Sequence, residues 1–280
     1  MKRERHRNDS LPNDNVKYLI LTLLLLEVKI FLTYLAAWLK THNERDTMGY
    51  SFFTSVLFLF FSFNATTPKT IAANGAVKAT TALSETETVY GSIKSHSQSM
   101  PAYACFAKAM TGFKRLKQEG KITKDYLTVI DFSLSSTAKR LWIIDMDTQT
   151  VVYNTLVAHG RNSGDEFANQ FSNDNSSNKS SLGFYATGEI YNGKHGQSLK
   201  LDGLEAGIND NARSRGVVMH AADYVSETFA QAHHRLGRSQ GCPALPGNLT
   251  KEIVNLIKGK SCLFIYHPTQ NYATASRLAS

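Results

Sequence analysis

Little in this chain can staple, stiffen or metallate a fold. Its 280 residues hold three cysteines and six prolines, too few for a disulfide framework or a collagen-like rod. No CxxC or HExxH pair occurs, so a metal site has no ligand spacing of those kinds to start from. No arginine-rich stripe interleaved with aromatics is present, which makes nucleic acid a poor partner despite a net charge of +8. No internal repeat is visible. What remains is a chain of 42% hydrophobic and 19% charged residues, the balance of a globular protein with an added apolar segment. The basic excess suits an acidic partner such as a membrane surface or an anionic cell wall.

The apolar material is concentrated at the start. Met1–Asp9 carries Lys2, Arg3, Arg5 and Arg7, and a leucine-rich stretch follows from Val16 to Leu39, interrupted by Glu27 and Lys29. Its length would span a bilayer, but two central charges oppose insertion. A second run, FFTSVLFLFFSF from Phe52 to Phe63, has the length of a signal-peptide core, with small residues after it at Ala65 and Ala72-Ala73. We read residues 1–73 as a leader. In it Met48 is the functional start of a cleavable export signal and 1–47 a spurious upstream extension; the rival is an uncleaved anchor at 16–39. Residues 74–99, rich in Thr, Ala and Ser, read as a linker.

The folded part begins as a helical segment over 100–125. Phe106, Ala109, Met110, Phe113 and Leu116 fall on one helical face, with Pro101 at the start and Gly120 at the stop. Strands follow at Tyr126–Leu134, Lys139–Asp145 and Thr150–Ala158, the last two forming a hairpin around 146–149. Phe171–Ser181 is polar and reads as a surface loop. Short strands are expected at Leu182–Gly188, Ser198–Leu201 and Gly216–His220, then a helix capped by Asn248 and ended by Gly259, and a buried strand at Cys262–Tyr266. The span 126–270 is thus mainly β with flanking helices, an α+β fold, and 271–280 is a tail. Cys105 and Cys262 read as core; an oxidising compartment would permit their pairing.

Chemistry concentrates at Ser239-Gln240-Gly241-Cys242-Pro243, separated from His220 by a gap of 18 residues. A cysteine in a glycine-containing turn and a histidine ending an apolar strand are a candidate nucleophile and base. The thiolate is the nucleophile, and a neighbouring imidazole or backbone dipole favours it. Gly241 and Cys242 can offer adjacent backbone N–H groups to an oxyanion. Ser239 can orient the turn or bind substrate. His159, at the end of a strand, can line a pocket. The alternatives are a zinc site from His220, His233, His234 and Cys242, and a structural cysteine beside a surface histidine. The order His-then-Cys rules out a papain-type arrangement.

His220, the gap, and then Ser239-Gln240-Gly241-Cys242 resemble the murein L,D-transpeptidase catalytic domain family, the YkuD-type cysteine transpeptidases. Leu182-Gly183-Phe184-Tyr185 resembles that family's glycine-containing strand before the site. Gln240 stands where many members have His, and Ala244 where many have Arg or Asn, so the likeness is to a divergent branch. It implies a YkuD-like β-sandwich with flanking helices. It also implies a thioester acyl-enzyme on Cys242, with His220 as base. The partner implied is the peptidoglycan stem tetrapeptide, cut with release of D-alanine and joined in 3–3 cross-links. With water as acceptor the same site is an L,D-carboxypeptidase, and without chemistry it is a wall-binding module. Gly241, Ser239, Gln240, Tyr185 and His159 would serve oxyanion and substrate binding. No metal or organic cofactor is implied, and the location is extracytoplasmic, with membrane contact only through an uncleaved leader. A backbone carbonyl, His159, His233 or Tyr185 is open as the third catalytic member. The mature protein should begin after the 52–63 run. N-terminal sequencing that finds residues 16–39 retained assigns the uncleaved anchor instead.

Overall fold

The computed structural model describes residues 84–193 and 196–280, together with Lys29 and Thr33. The two expected apolar runs of the leader lie outside these residues, apart from those two helical positions. Among the described residues no helix is long and apolar enough to cross a membrane.

Eight strands form the body: β1 Tyr126–Asp131, β2 Leu141–Asp145, β3 Thr150–Thr155, β4 Gly183–Gly193, β5 Gly196–Gly203, β6 Val218–Ala221, β7 Ala244–Leu245 and β8 Cys262–Tyr266. They are hydrogen-bonded in the order β3-β2-β1-β8-β4-β5-β6-β7. β1 runs parallel to β8, and β6 parallel to β7; the other neighbours are antiparallel. The central pair β1–β8 reads as near-continuous apolar sequence because both faces are covered; Leu127 to Asp131 and all of β8 are buried. The chain leaving β3 then returns to the far end of the sheet. Ala158 bridges Ala244 of β7, with Ala158 N–H donating to the Ala244 carbonyl at 2.9 Å. One segment therefore ties the β3 edge to the strand that follows Cys242.

Helix α1 (Glu85–Ser92) opens with a capping box: the Ser84 hydroxyl accepts from Glu87 N–H at 3.2 Å, and the Glu87 carboxylate accepts from Ser84 N–H at 2.7 Å. The linker expected over 74–99 is thus structured from Ser84 onward. Its apolar residues are few but used: Tyr90 packs on Phe106, ring centroids 5.2 Å apart, and Ile93 is buried. Lys94 then pairs with the edge of β3 through Val151 N–H at 2.9 Å. The tail is also part of the body. Helix α5 (Gln270–Ala275) buries Tyr272, and Leu278 and Ala279 are buried behind it. Their anchor is Glu205, whose carboxylate accepts from Phe184 N–H at 2.7 Å, Tyr272 Oη at 3.1 Å and Ser276 Oγ at 2.5 Å. Burial pushes this carboxyl above the ordinary range.

Helix α2 (Tyr103–Gln118) lays the expected face, Phe106, Ala109, Met110, Phe113 and Leu116, into the core. Cys105 is buried on it and Cys262 on β8; both are free thiols. Two further helices complete the body, α3 (Glu227–His233) after β6 and α4 (Gly247–Ile257) after β7. Pro246 rather than Asn248 precedes the first residue of α4, with no side-chain cap. Gly112 faces the Phe184 ring so closely that a Cβ there would collide with it, and Phe184 stacks on Phe264 at 4.2 Å. The ring has no room to retreat. Gly112→Ala should therefore lose about 1–2 kcal/mol, overpacking outweighing the ~1 kcal/mol gain in helix propensity. Chemical denaturation checks it; an equally stable variant would mean the helix–sheet gap can widen at no cost.

Candidate functional site

The turn 239–242 is built from backbone groups that no strand can satisfy, so side chains and neighbouring loops do it. Ser239 closes it from inside: its hydroxyl donates to the Cys242 carbonyl at 2.6 Å and accepts from Gly241 N–H at 3.0 Å. The Ser239 backbone pairs with the segment after β3, N–H to the His159 carbonyl at 2.9 Å and carbonyl to Arg161 N–H at 2.8 Å. Ser180 supports the other end, its hydroxyl donating to the Gly241 carbonyl at 3.1 Å while accepting from Gly160 N–H at 3.0 Å. Gly241 sits at φ +123°, and a Cβ there would lie 2.8 Å from the Lys179 carbonyl. Only glycine meets both demands. Gln240 is exposed on the turn.

This geometry corrects one expectation. The Gly241 N–H is spent inside the turn and does not stand beside that of Cys242 as a second oxyanion donor. Among the described residues the Cys242 N–H has no hydrogen-bond partner, and it is the donor left to the site.

The half-buried Cys242 Sγ lies against the entry of β6. It accepts from Val218 N–H at 3.4 Å and its thiol lies 3.7 Å from the Gly216 carbonyl. Burial raises the thiol above its ordinary value; the Val218 N–H and the charge of Arg215 pull it back. His220, on the same strand as Val218 and in register with Ala244, is buried. Its Nδ1 lies 2.8 Å from the Ala221 carbonyl. In the neutral ring that contact puts the proton on Nδ1 and the basic lone pair on Nε2.

Two expected site residues are turned away. His159 is 1% exposed. Its Nδ1 accepts from Arg140 Nη2 at 2.8 Å, and its Nε2 lies 3.2 Å from the Gly164 carbonyl. Burial, then Arg140, push its pKa down to about 4. Its side chain is core and its carbonyl anchors the turn, so the expected pocket-lining side chain is corrected to a backbone support. Tyr185 is fully buried in β4 and donates to the Ser181 carbonyl at 3.0 Å. His233 and His234 are exposed at the end of α3, and no group of three or more candidate metal ligands exists among the described residues.

Arg215 was not singled out by spacing, yet it organises the floor of the site. Nη1 donates to the Ser172 carbonyl at 2.9 Å and Ser181 Oγ at 2.7 Å; Nη2 donates to Ser177 Oγ at 3.1 Å and the Lys179 carbonyl at 2.7 Å. The polar stretch 171–181 is therefore a pinned support, with Ser180 and Ser181 buried. The available sequence signal was an arginine directly before Gly216 and the strand carrying His220.

A family model described as L,D-transpeptidase catalytic domain matches residues 97–266. Among solved structures, an L,D-transpeptidase from Mycobacterium smegmatis is similar at 10% identity and TM-score 0.33, covering 51% of this chain and 59% of its own. The helical cell shape determining protein of Campylobacter jejuni gives 14% and 0.35, with 64% and 62% covered. An Enterococcus faecium L,D-transpeptidase gives 12% and 0.31, with 51% and 50% covered. The chain thus spans less than two thirds of the length of these proteins. No curated protein matches.

The buried His159 has a consequence for stability. Unfolded, it takes a proton near 6.5; folded, it resists until about 4. Its contribution is whole above 6.5, is lost as pH falls through that window, and levels off below 4. Denaturation between pH 7 and 4 should lose up to ~1.4 kcal/mol per pH unit from this group, and His159→Gln should flatten the slope. An unchanged slope in the variant would assign the loss to other groups.

Proposed function

We propose that this chain, which belongs to the L,D-transpeptidase catalytic domain family, is a cysteine acyltransferase of the cell envelope acting on peptidoglycan stem tetrapeptides. The observation that carries the reading is the seating of Cys242 Sγ on the strand that holds His220. Three segments fix the nucleophile, and a backbone carbonyl fixes the base in the tautomer that can take a proton.

The chemistry runs as follows. His220 Nε2 takes the Cys242 thiol proton, and the thiolate attacks the carbonyl before the terminal D-alanine. The Cys242 N–H faces the developing oxyanion. The C–N bond breaks, His220 returns the proton to the leaving amine, and D-alanine departs from a thioester. An amine of a second stem, deprotonated by His220, attacks the thioester; the thiolate leaves and a 3–3 cross-link forms. Ala221 is the third member of the set through its carbonyl, and Ser239 acts by shaping the turn. The substrate implies an extracytoplasmic location, which the apolar runs before residue 64 and the basic balance of the chain support.

Incubation of the purified protein with tetrapeptide stems should yield a dimer and free D-alanine by mass analysis, and Cys242→Ala should yield neither. A shortened tripeptide alone makes the enzyme an L,D-carboxypeptidase. Products unchanged in Cys242→Ala would remove the cysteine from the mechanism.

A further inference from the structure

The guanidinium of Arg215 donates four hydrogen bonds, all to neutral oxygens: two carbonyls and two hydroxyls. Among the described residues no carboxylate pairs with it, whereas Arg213, two residues earlier, is matched by Glu189 and Asp202. A half-buried cation whose donors are satisfied but whose charge is not leaves that charge to act on whatever anion forms nearby. The nearby group is Cys242. The residue after Arg215 contributes the carbonyl 3.7 Å from Sγ, and Nη2 would lie 3.4 Å from a Cβ on Gly241.

The charged and titratable groups around the thiol are few. Arg215 comes from the turn before β6, and His220 from β6 itself. Tyr224 comes from the loop after β6; burial first, then the charge of Cys242, push its phenol up to about 12. Within this set Arg215 supplies the permanent positive charge, and Tyr224 stays protonated at neutral pH.

We propose that Arg215 is the positioning residue of the nucleophile: its fork clamps residues 172–181 beneath the Gly241–Cys242 turn, and its unpaired charge favours the thiolate of Cys242. This takes from the proposed function only that Cys242 is the nucleophile. In this chain, where Gln240 and Ala244 occupy the positions beside the cysteine, the electrostatic support comes from across the turn.

The test is the pH profile of Cys242 alkylation by iodoacetamide, followed by peptide mass analysis in the full chain. Cys105 and Cys262 are buried and their thiols raised well above the ordinary range, so they stay silent. Arg215→Met should move the alkylation midpoint up by about one unit, slowing labelling roughly tenfold at a pH below the midpoint. Arg215→Lys keeps the charge and loses the fork; it should move the midpoint by less than about a third of that while weakening thermal stability. A folded Arg215→Met with the parental midpoint overturns the inference. Should Arg215→Met not fold, Arg215→Lys decides alone: a small shift supports it, and a full unit overturns it. Alkylation reads the thiol and not the product, so a wild type that makes no cross-link and a midpoint that does not move are separate failures.

Discussion

Buried backbone groups must find partners, and Ser239 and Gly241 bury theirs in a turn that lies outside the named strands. The contacts around Cys242 answer that constraint. Ser239 satisfies the turn from within, and Ser180 and the His159–Arg161 backbone satisfy it from outside. Each partner is itself fixed. Ser180 bonds Gly160, Arg215 pins residues 172–181, and Arg140 holds His159 while its other nitrogens meet the Val157 and Leu134 carbonyls. Sγ is aimed because the turn that carries it has one way to be satisfied.

The closure of the sheet explains how remote segments reach one place. β3 stands at one end of the hydrogen-bonded order and β7 at the other, yet the chain leaving β3 bridges Ala244 and then Ser239. The stability of the far edge is thereby coupled to the geometry of Cys242. The clamp at Glu205 acts at the start of β4, where the C-terminal segment is sewn to Phe184. A segment whose sequence looks like a tail becomes core because one buried carboxylate needs several donors.

Patterns of side chains were legible; backbone-directed contacts were not. Helix α2, the β2–β3 hairpin and β8 follow from spacing, since their apolar residues are large and periodic. Cys242 and His220 stand out as candidate nucleophile and base from residue type and order. The helix Glu85–Ser92 did not, because it buries no residue fully and its start rests on a capping box amid Thr, Ala and Ser. Arg215 and Ser180 were missed for a different reason. Their acceptors are carbonyls and hydroxyls brought together by folding, and such contacts leave no mark on spacing. His159 misled because a histidine at a strand end reads alike whether it faces a pocket or a buried arginine.

The direction of the thiol's shift bears on how the proposed reaction would start. Desolvation outweighs the Val218 N–H and the Arg215 charge, so the resting group is the neutral thiol. A resting thiolate would need the opposite balance. In the proposed reaction the thiol instead gives its proton to His220 when a carbonyl is presented, and the thiolate is consumed as it forms. Val218 and Arg215 then act on a charge that exists mainly on the way to the transition state, which is where a fixed dipole and a fixed cation lower the barrier without stabilising the resting enzyme.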